Sequence, residues 1–156
     1  MTEYEEVLEP IKKLLDVSKY VVLSTADKKG VVSASTMCMV ADGLKVYFQT
    51  DKSFEKTKNI RENQNVAITI GNTYFKGKAK VVGRPLGNKK FVELMKQKHF
   101  ETFENYSLLP NQVLILVKLT EVKTWKISDG VELITKLDFR GHSVSKIKCD
   151  NLKGGF

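Results

Sequence analysis

The stretch Leu44–Ile70, LKVYFQTDKSFEKTKNIRENQNVAITI, changes its periodicity twice. Leu44 to Gln49 is rich in β-branched and aromatic residues and reads as a strand. Ser53 can cap a short helix running to about Glu62, with Phe54, Thr57 and Ile60 along one side. Asn65 to Gly71 then returns to strand. A helix therefore interrupts a sheet, and the turn that leads into it carries hydroxyls and lysines.

Upstream, Tyr20–Thr25 and Val31–Val40 read as two further strands. Their connections, Ala26-Asp27-Lys28-Lys29-Gly30 and Ala41-Asp42-Gly43, place glycine where a left-handed backbone costs little. The three strands up to Gln49 are expected to form an antiparallel meander. Before them, Thr2 and Glu5 fit a capping box, and Val7, Ile11, Leu14 and Leu15 recur at helical spacing. Pro10 should start or kink that helix.

Downstream, Tyr74–Gly83 reads as a strand and Asn88–Phe100 as a helix with an apolar stripe; Leu108–Asn111 forms a loop around Pro110. Val113–Val117, continuing through Leu119, Val122 and Trp125, is apolar for too long to be half-exposed, which predicts a central strand buried on both faces. Val131–Phe139 adds a strand, and Asp150–Phe156 is expected as a weakly held tail. About six antiparallel strands with short helices define a mostly β, α+β chain that closes into a small or partly open barrel. No GxGxxG or GxxxxGK[ST] pattern supports a parallel nucleotide-binding sheet.

The 156 residues, 42% hydrophobic, are read as one domain spanning 1–156. No apolar run reaches the length of a membrane span and the N-terminus is acidic, so the expected location is the cytoplasm, away from membranes. Cys38 and Cys149 lie far apart without close Cys or His partners, which predicts free thiols and no metal site. A net charge of +8 favours anionic partners without choosing among nucleic acid, lipid and phosphorylated small molecules.

The Ser53 turn narrows that choice. A helix N-terminus offers unpaired N–H groups and the positive end of its dipole; Lys56 and Lys58 add cations, and Thr50 and Ser53 add hydroxyl donors. Such a constellation suits a dianionic phosphate. Taken alone, the same residues also fit a capped, solvated helix face.

The order Phe48-Gln49-Thr50, Ser53, Lys56-x-Lys58-Asn59-Ile60 and then Asn65 with the strand after it resembles the pyridoxamine 5'-phosphate oxidase-like family. Tyr20–Val40 resembles that family's first hairpin and Tyr74–Gly83 its small-residue strand, so the likeness spans residues 4 to about 127, with 128–156 a C-terminal extension. The resemblance implies a Greek-key split barrel that binds FMN between the two subunits of a homodimer. It implies cofactor contacts from Ser35, Thr36, Met37 and Cys38 along the flavin ring, with Gln49 beside them. It implies Thr50, Ser53, Lys56 and Lys58 at the phosphate, while Met37, Met39 and Trp125 are candidates for polarizable or aromatic surface against the ring. Arg140-Gly141-His142 lacks the C-terminal context of the true oxidases, which argues against pyridoxamine phosphate as substrate.

No catalytic acid or base is assigned, because a flavin carries its own redox chemistry. The expected activity is an FMN-dependent oxidoreductase acting on a small molecule, with reduced nicotinamide, NAD(P)H, as a candidate donor. A non-catalytic electron carrier or flavin store is the alternative, and a basic barrel binding nucleic acid a second; scattered lysines and core-like aromatics disfavour nucleic acid. A haem site ranks last, since His99 and His142 stand alone.

Overall fold

A computed structural model describes residues 1–149; the expected tail from Asp150 lies outside them. Helix α1, Glu3–Val17, begins with the expected capping box: Glu5 N–H donates to Thr2 Oγ1 at 3.2 Å and Thr2 N–H to the Glu5 carboxylate at 3.1 Å. Pro10 neither starts nor ends it. The ring sits on the exposed side, where water can satisfy the carbonyl that loses its donor, while Ile11 and Leu15 bury the opposite side.

The strands are β1 (Tyr20–Ala26), β2 (Val32–Cys38), β3 (Val40–Asp42) and β4 (Lys45–Asp51), followed by helix α2 (Glu55–Glu62). Then come β5 (Asn65–Ile70), β6 (Thr73–Val81), helix α3 (Lys89–Lys98), β7 (Gln112–Ser128), β8 (Val131–Asp138) and β9 (Ser143–Lys148). All pair antiparallel in the order β2-β1-β5-β6-β7-β4-β3, with β8 on the far half of β7 and β9 on β8. The described residues form a mostly β split barrel with flanking helices, and the sheet does not close. Among them no helix is long and apolar enough to cross a membrane.

Two expectations need correction. Nine strands replace about six, and the first three do not form a meander. Val31–Val40 is broken at Met39, whose side chain is fully buried and whose N–H bonds Lys19 O at 3.3 Å. There the chain leaves β1 and crosses to β4, which pairs with β3 and with β7 but never with β2. Pairing β4 with β7 buries Phe48, Leu114 and Ile115 completely, each such side chain contributing about 1.5–3 kcal/mol. The seam between β2 and β4 is what remains open.

Strand β7 is the expected spine. Its first half pairs with β4, its middle with β6, and its last part with β8. Leu114 and Ile115 are adjacent and both fully buried, because α3 covers the second face with Phe91 and Met95. Strand β6 alternates Phe75, Gly77 and Ala79 inward with Lys76, Lys78 and Lys80 outward, which puts part of the positive charge on the outer face of the sheet. At Gly77 the register against β7 shifts. A Cβ there would lie 2.7 Å from Val117 Cγ1 and 2.9 Å from Lys118 O.

Candidate functional site

The seam ends in a cleft of about 490 Å³. One wall is the edge strand β2 at Thr36, Met37 and Cys38; the other is the end of β4 at Gln49, Thr50 and Asp51. Strand β2 pairs only with β1, so its other edge presents N–H and C=O groups to the cleft. Strand β3 covers β4 only as far as Tyr47, so Gln49 to Asp51 have a ladder partner on the β7 side alone. Unladdered polar backbone beside Met37 and the exposed ring of Phe54 gives a slot with hydrogen-bonding edges and apolar faces, which suits a planar, polar-rimmed heterocycle.

The turn into α2 closes one end. Its residues behave differently from the expectation: Phe54, not Ser53, is the N-cap, and it makes no side-chain capping bond. Ser53 donates both its N–H (2.8 Å) and its hydroxyl (2.7 Å) to Asp51 Oδ1. Asn111 Nδ2 donates to the other carboxylate oxygen. These bonds, the Ser53 backbone N–H foremost, hold the Asp51 carboxyl below the usual carboxylate range. Asp51 therefore acts as an ionised staple of the turn and offsets part of its positive potential.

Thr57 Oγ1 donates to Asp51 O at 2.8 Å, and buried Asn59 donates to Thr25 Oγ1 at 3.1 Å, which fixes α2 against β1. Phe54 is half exposed, so it does not share the buried side of Thr57 and Ile60 as its spacing predicted.

Lys56 lines the cleft, with its Nζ 5.1 Å from the Phe54 ring centroid. Lys58 does not: two residues further on, it lies on another face of the helix and is exposed. The cleft thus gathers six of the ten expected cofactor contacts, Thr36, Met37, Cys38, Gln49, Thr50 and Lys56. Ser35, Ser53, Lys58 and Trp125 stand outside it. Ser35 shares the Met37 side of β2 but lies one pleat short of the cleft, and Ser53 is committed to Asp51.

Trp125 follows Gln112, another cleft residue, by thirteen positions on the same strand, which is about 43 Å of extended chain at ~3.3 Å per residue. It lines a second, mostly apolar concavity of about 560 Å³ with Tyr74, Lys123, Thr124 and Ile134. Its indole N–H is buried without a partner among the described residues. An orphaned buried donor costs about 1–3 kcal/mol.

Sequence reasoning missed the third wall. Phe100–Thr102 and a π-helical turn, Phe103–Ser107, bring Thr102, Tyr106 and Leu109 over the cleft. The segment is pinned by the ring of His99, whose Nε2 lies 3.1 Å from Met39 O, and by Arg84, which donates to Leu109 O at 3.3 Å. Burial of His99 pushes its pKa down. A π turn is rare and often functional, but it leaves no mark in local sequence. His142 stacks on Tyr4 at 4.9 Å, and neither histidine lines the cleft.

The site is thus a slot in an open-seamed split barrel, with polar strand edges and Lys56 at the start of α2. Residues 7–126 match the family model described as pyridoxamine 5'-phosphate oxidase, and the chain belongs to that family. Comparison with curated proteins finds no match.

Among solved structures, General Stress Protein 26 of Bacillus anthracis is similar at 19% identity, over 75% of this chain and 92% of that one, with a TM-score of 0.61. HutZ, the heme storage protein of Vibrio cholerae, is 19% identical over 72% and 89%, TM-score 0.60. A pyridoxamine 5'-phosphate oxidase-related, FMN-binding protein of Nostoc punctiforme is 12% identical over 95% and 97%, TM-score 0.58. At these identities the likeness speaks for the fold.

Proposed function

We propose that the seam cleft binds FMN and that the protein is an FMN-dependent redox protein acting on a small molecule. The observation that carries this reading is the convergence, on one slot, of the β2 edge at Thr36–Cys38, the end of β4 at Gln49–Thr50, and Lys56 at the entrance to α2. Backbone N–H and C=O groups on the strand edges would hold the polar rim of the ring. The unpaired N–H groups at the α2 N-terminus and the Lys56 ammonium would hold the 5'-phosphate. FMN, when bound, supplies the electron transfer; the chain's own residues position it and exclude water. Reduced nicotinamide is the electron donor we expect.

The second concavity supports a homodimer. Trp125 and its unpartnered indole N–H lie at the opposite end of β7 from the cleft, so Trp125 can meet the same ring only from a second copy. A two-fold dimer would cover the apolar surface around Tyr74 and Ile134. Haem is less well supported, because no histidine lines the cleft to ligate iron.

Absorption spectra of natively purified protein and FMN titrations of wild type, Lys56→Ala and Lys58→Ala test the reading. Flavin bands are expected, with affinity reduced about tenfold or more in Lys56→Ala and unchanged in Lys58→Ala. A colourless wild type that ignores FMN refutes it.

A further inference from the structure

The Gln49 side chain carries an orientation that the cleft alone does not explain. Ser107, at the end of the π turn, is fully buried and is not a wall of the cleft. Its hydroxyl donates to Gln49 Oε1 at 2.5 Å, and because an amide oxygen can only accept, the direction of this bond is fixed. The other end of the amide, Nε2, makes no hydrogen bond among the described residues, yet it is not one of the buried orphans. Gln49 is a lining residue, so its free Nε2 donors face the cleft.

Held this way, the side chain presents a donor where a flipped amide would present an acceptor. The π turn that places Ser107 is anchored from below by Phe103 N–H donating to His99 O at 2.9 Å, and His99 is itself fixed on Met39 O.

We propose that Ser107 is a positioning residue for the proposed cofactor site. By holding Gln49 Oε1 it aims the Nε2 donor at the bound ring and biases that ring toward its reduced, more electron-rich form. The inference rests on the FMN reading above. A donor binds the form with more negative charge more tightly, so removing the donor lowers the affinity for reduced FMN more than that for oxidised FMN.

The test measures FMN affinity and then the midpoint potential of the bound flavin, by equilibration with a reference dye. It uses wild type, Ser107→Ala, Ser107→Thr, Gln49→Ala and the Ser107→Ala, Gln49→Ala double variant. All are expected to bind FMN. Ser107→Ala and Gln49→Ala should each lower the ratio of reduced-form to oxidised-form affinity by about tenfold, which is a fall of ~30 mV for a two-electron couple. Ser107→Thr should restore the wild-type potential, and the double variant should match the single ones, because both act through one donor.

Should Ser107→Ala fail to fold, Gln49→Ala carries the same expectation without touching the buried turn. Bound FMN at the wild-type potential in Gln49→Ala, or additive shifts in the double variant, overturns this proposal while leaving FMN binding intact. A wild type that binds no FMN overturns the cofactor reading, and this proposal with it.

Discussion

Gly77 and Gly87 offer the same chemical change with opposite expected signs. An added Cβ at Gly77 would sit 2.7 Å from Val117 Cγ1 and 2.9 Å from Lys118 O. The valine methyl could yield, but the carbonyl belongs to the ladder between β6 and β7 and cannot move without shifting the register at the bulge. Overpacking of this kind costs about 1–3 kcal/mol. For a chain of this size each kcal/mol lowers the melting temperature by about 2–4 °C, so Gly77→Ala should lose roughly 2–12 °C.

At Gly87 a Cβ would meet nothing within 4 Å, and the backbone there is one that alanine adopts without strain. Gly87→Ala should be neutral, or stabilise by about 0.4–1 kcal/mol through the unfolded chain. Thermal unfolding by circular dichroism at one scan rate and pH compares the two. Equal melting temperatures, or a Gly77→Ala protein as stable as wild type, would refute the claim that β6 and β7 approach too closely there for a side chain.

Two further outcomes are expected. Burial lowers the His99 pKa, so the folded state holds its proton less firmly than the unfolded chain; stability is full above about pH 6.5 and is lost as the pH falls through the depressed folded value. His99→Gln should flatten the fall in melting temperature between pH 6.5 and 5, and an unchanged slope would contradict this. Cys38 lines the cleft at intermediate exposure while Cys149 is buried, so a thiol reagent should modify one cysteine quickly and FMN should slow that reaction. Reaction at an undiminished rate in saturating FMN would count against the ring lying along β2.

Much of the fold was legible because its strands alternate or run apolar over enough residues to show a period: β1, β4, β5, β6 and β7 all carried that signal. The break at Met39 did not, since Val31–Val40 is continuous in composition and only the choice of β7 as partner for β4 interrupts it. Strand β9 escaped because nearly every residue of it is exposed, and an edge strand without a buried face leaves no alternation to read.

In the site, the separation of Lys56 from Lys58 could have been seen from helical geometry, because residues two apart do not share a face. The distance between Trp125 and the cleft follows equally from strand rise. Tyr106, Ser107 and Asn111 had no such signal. Their roles depend on a π turn and on a loop returning to the end of β4, both fixed by tertiary contacts.

The length of β7 has a genetic consequence. In the proposed dimer each β7 would contribute Gln112 to one site and Trp125 to the other, so neither chain would own a complete site. A chain defective only at its cleft and a chain defective only at Trp125, co-expressed, would form mixed dimers in which one site collects both lesions and the other none. Two inactive alleles would then complement each other, up to half the sites of each mixed pair, whereas neither would recover alone.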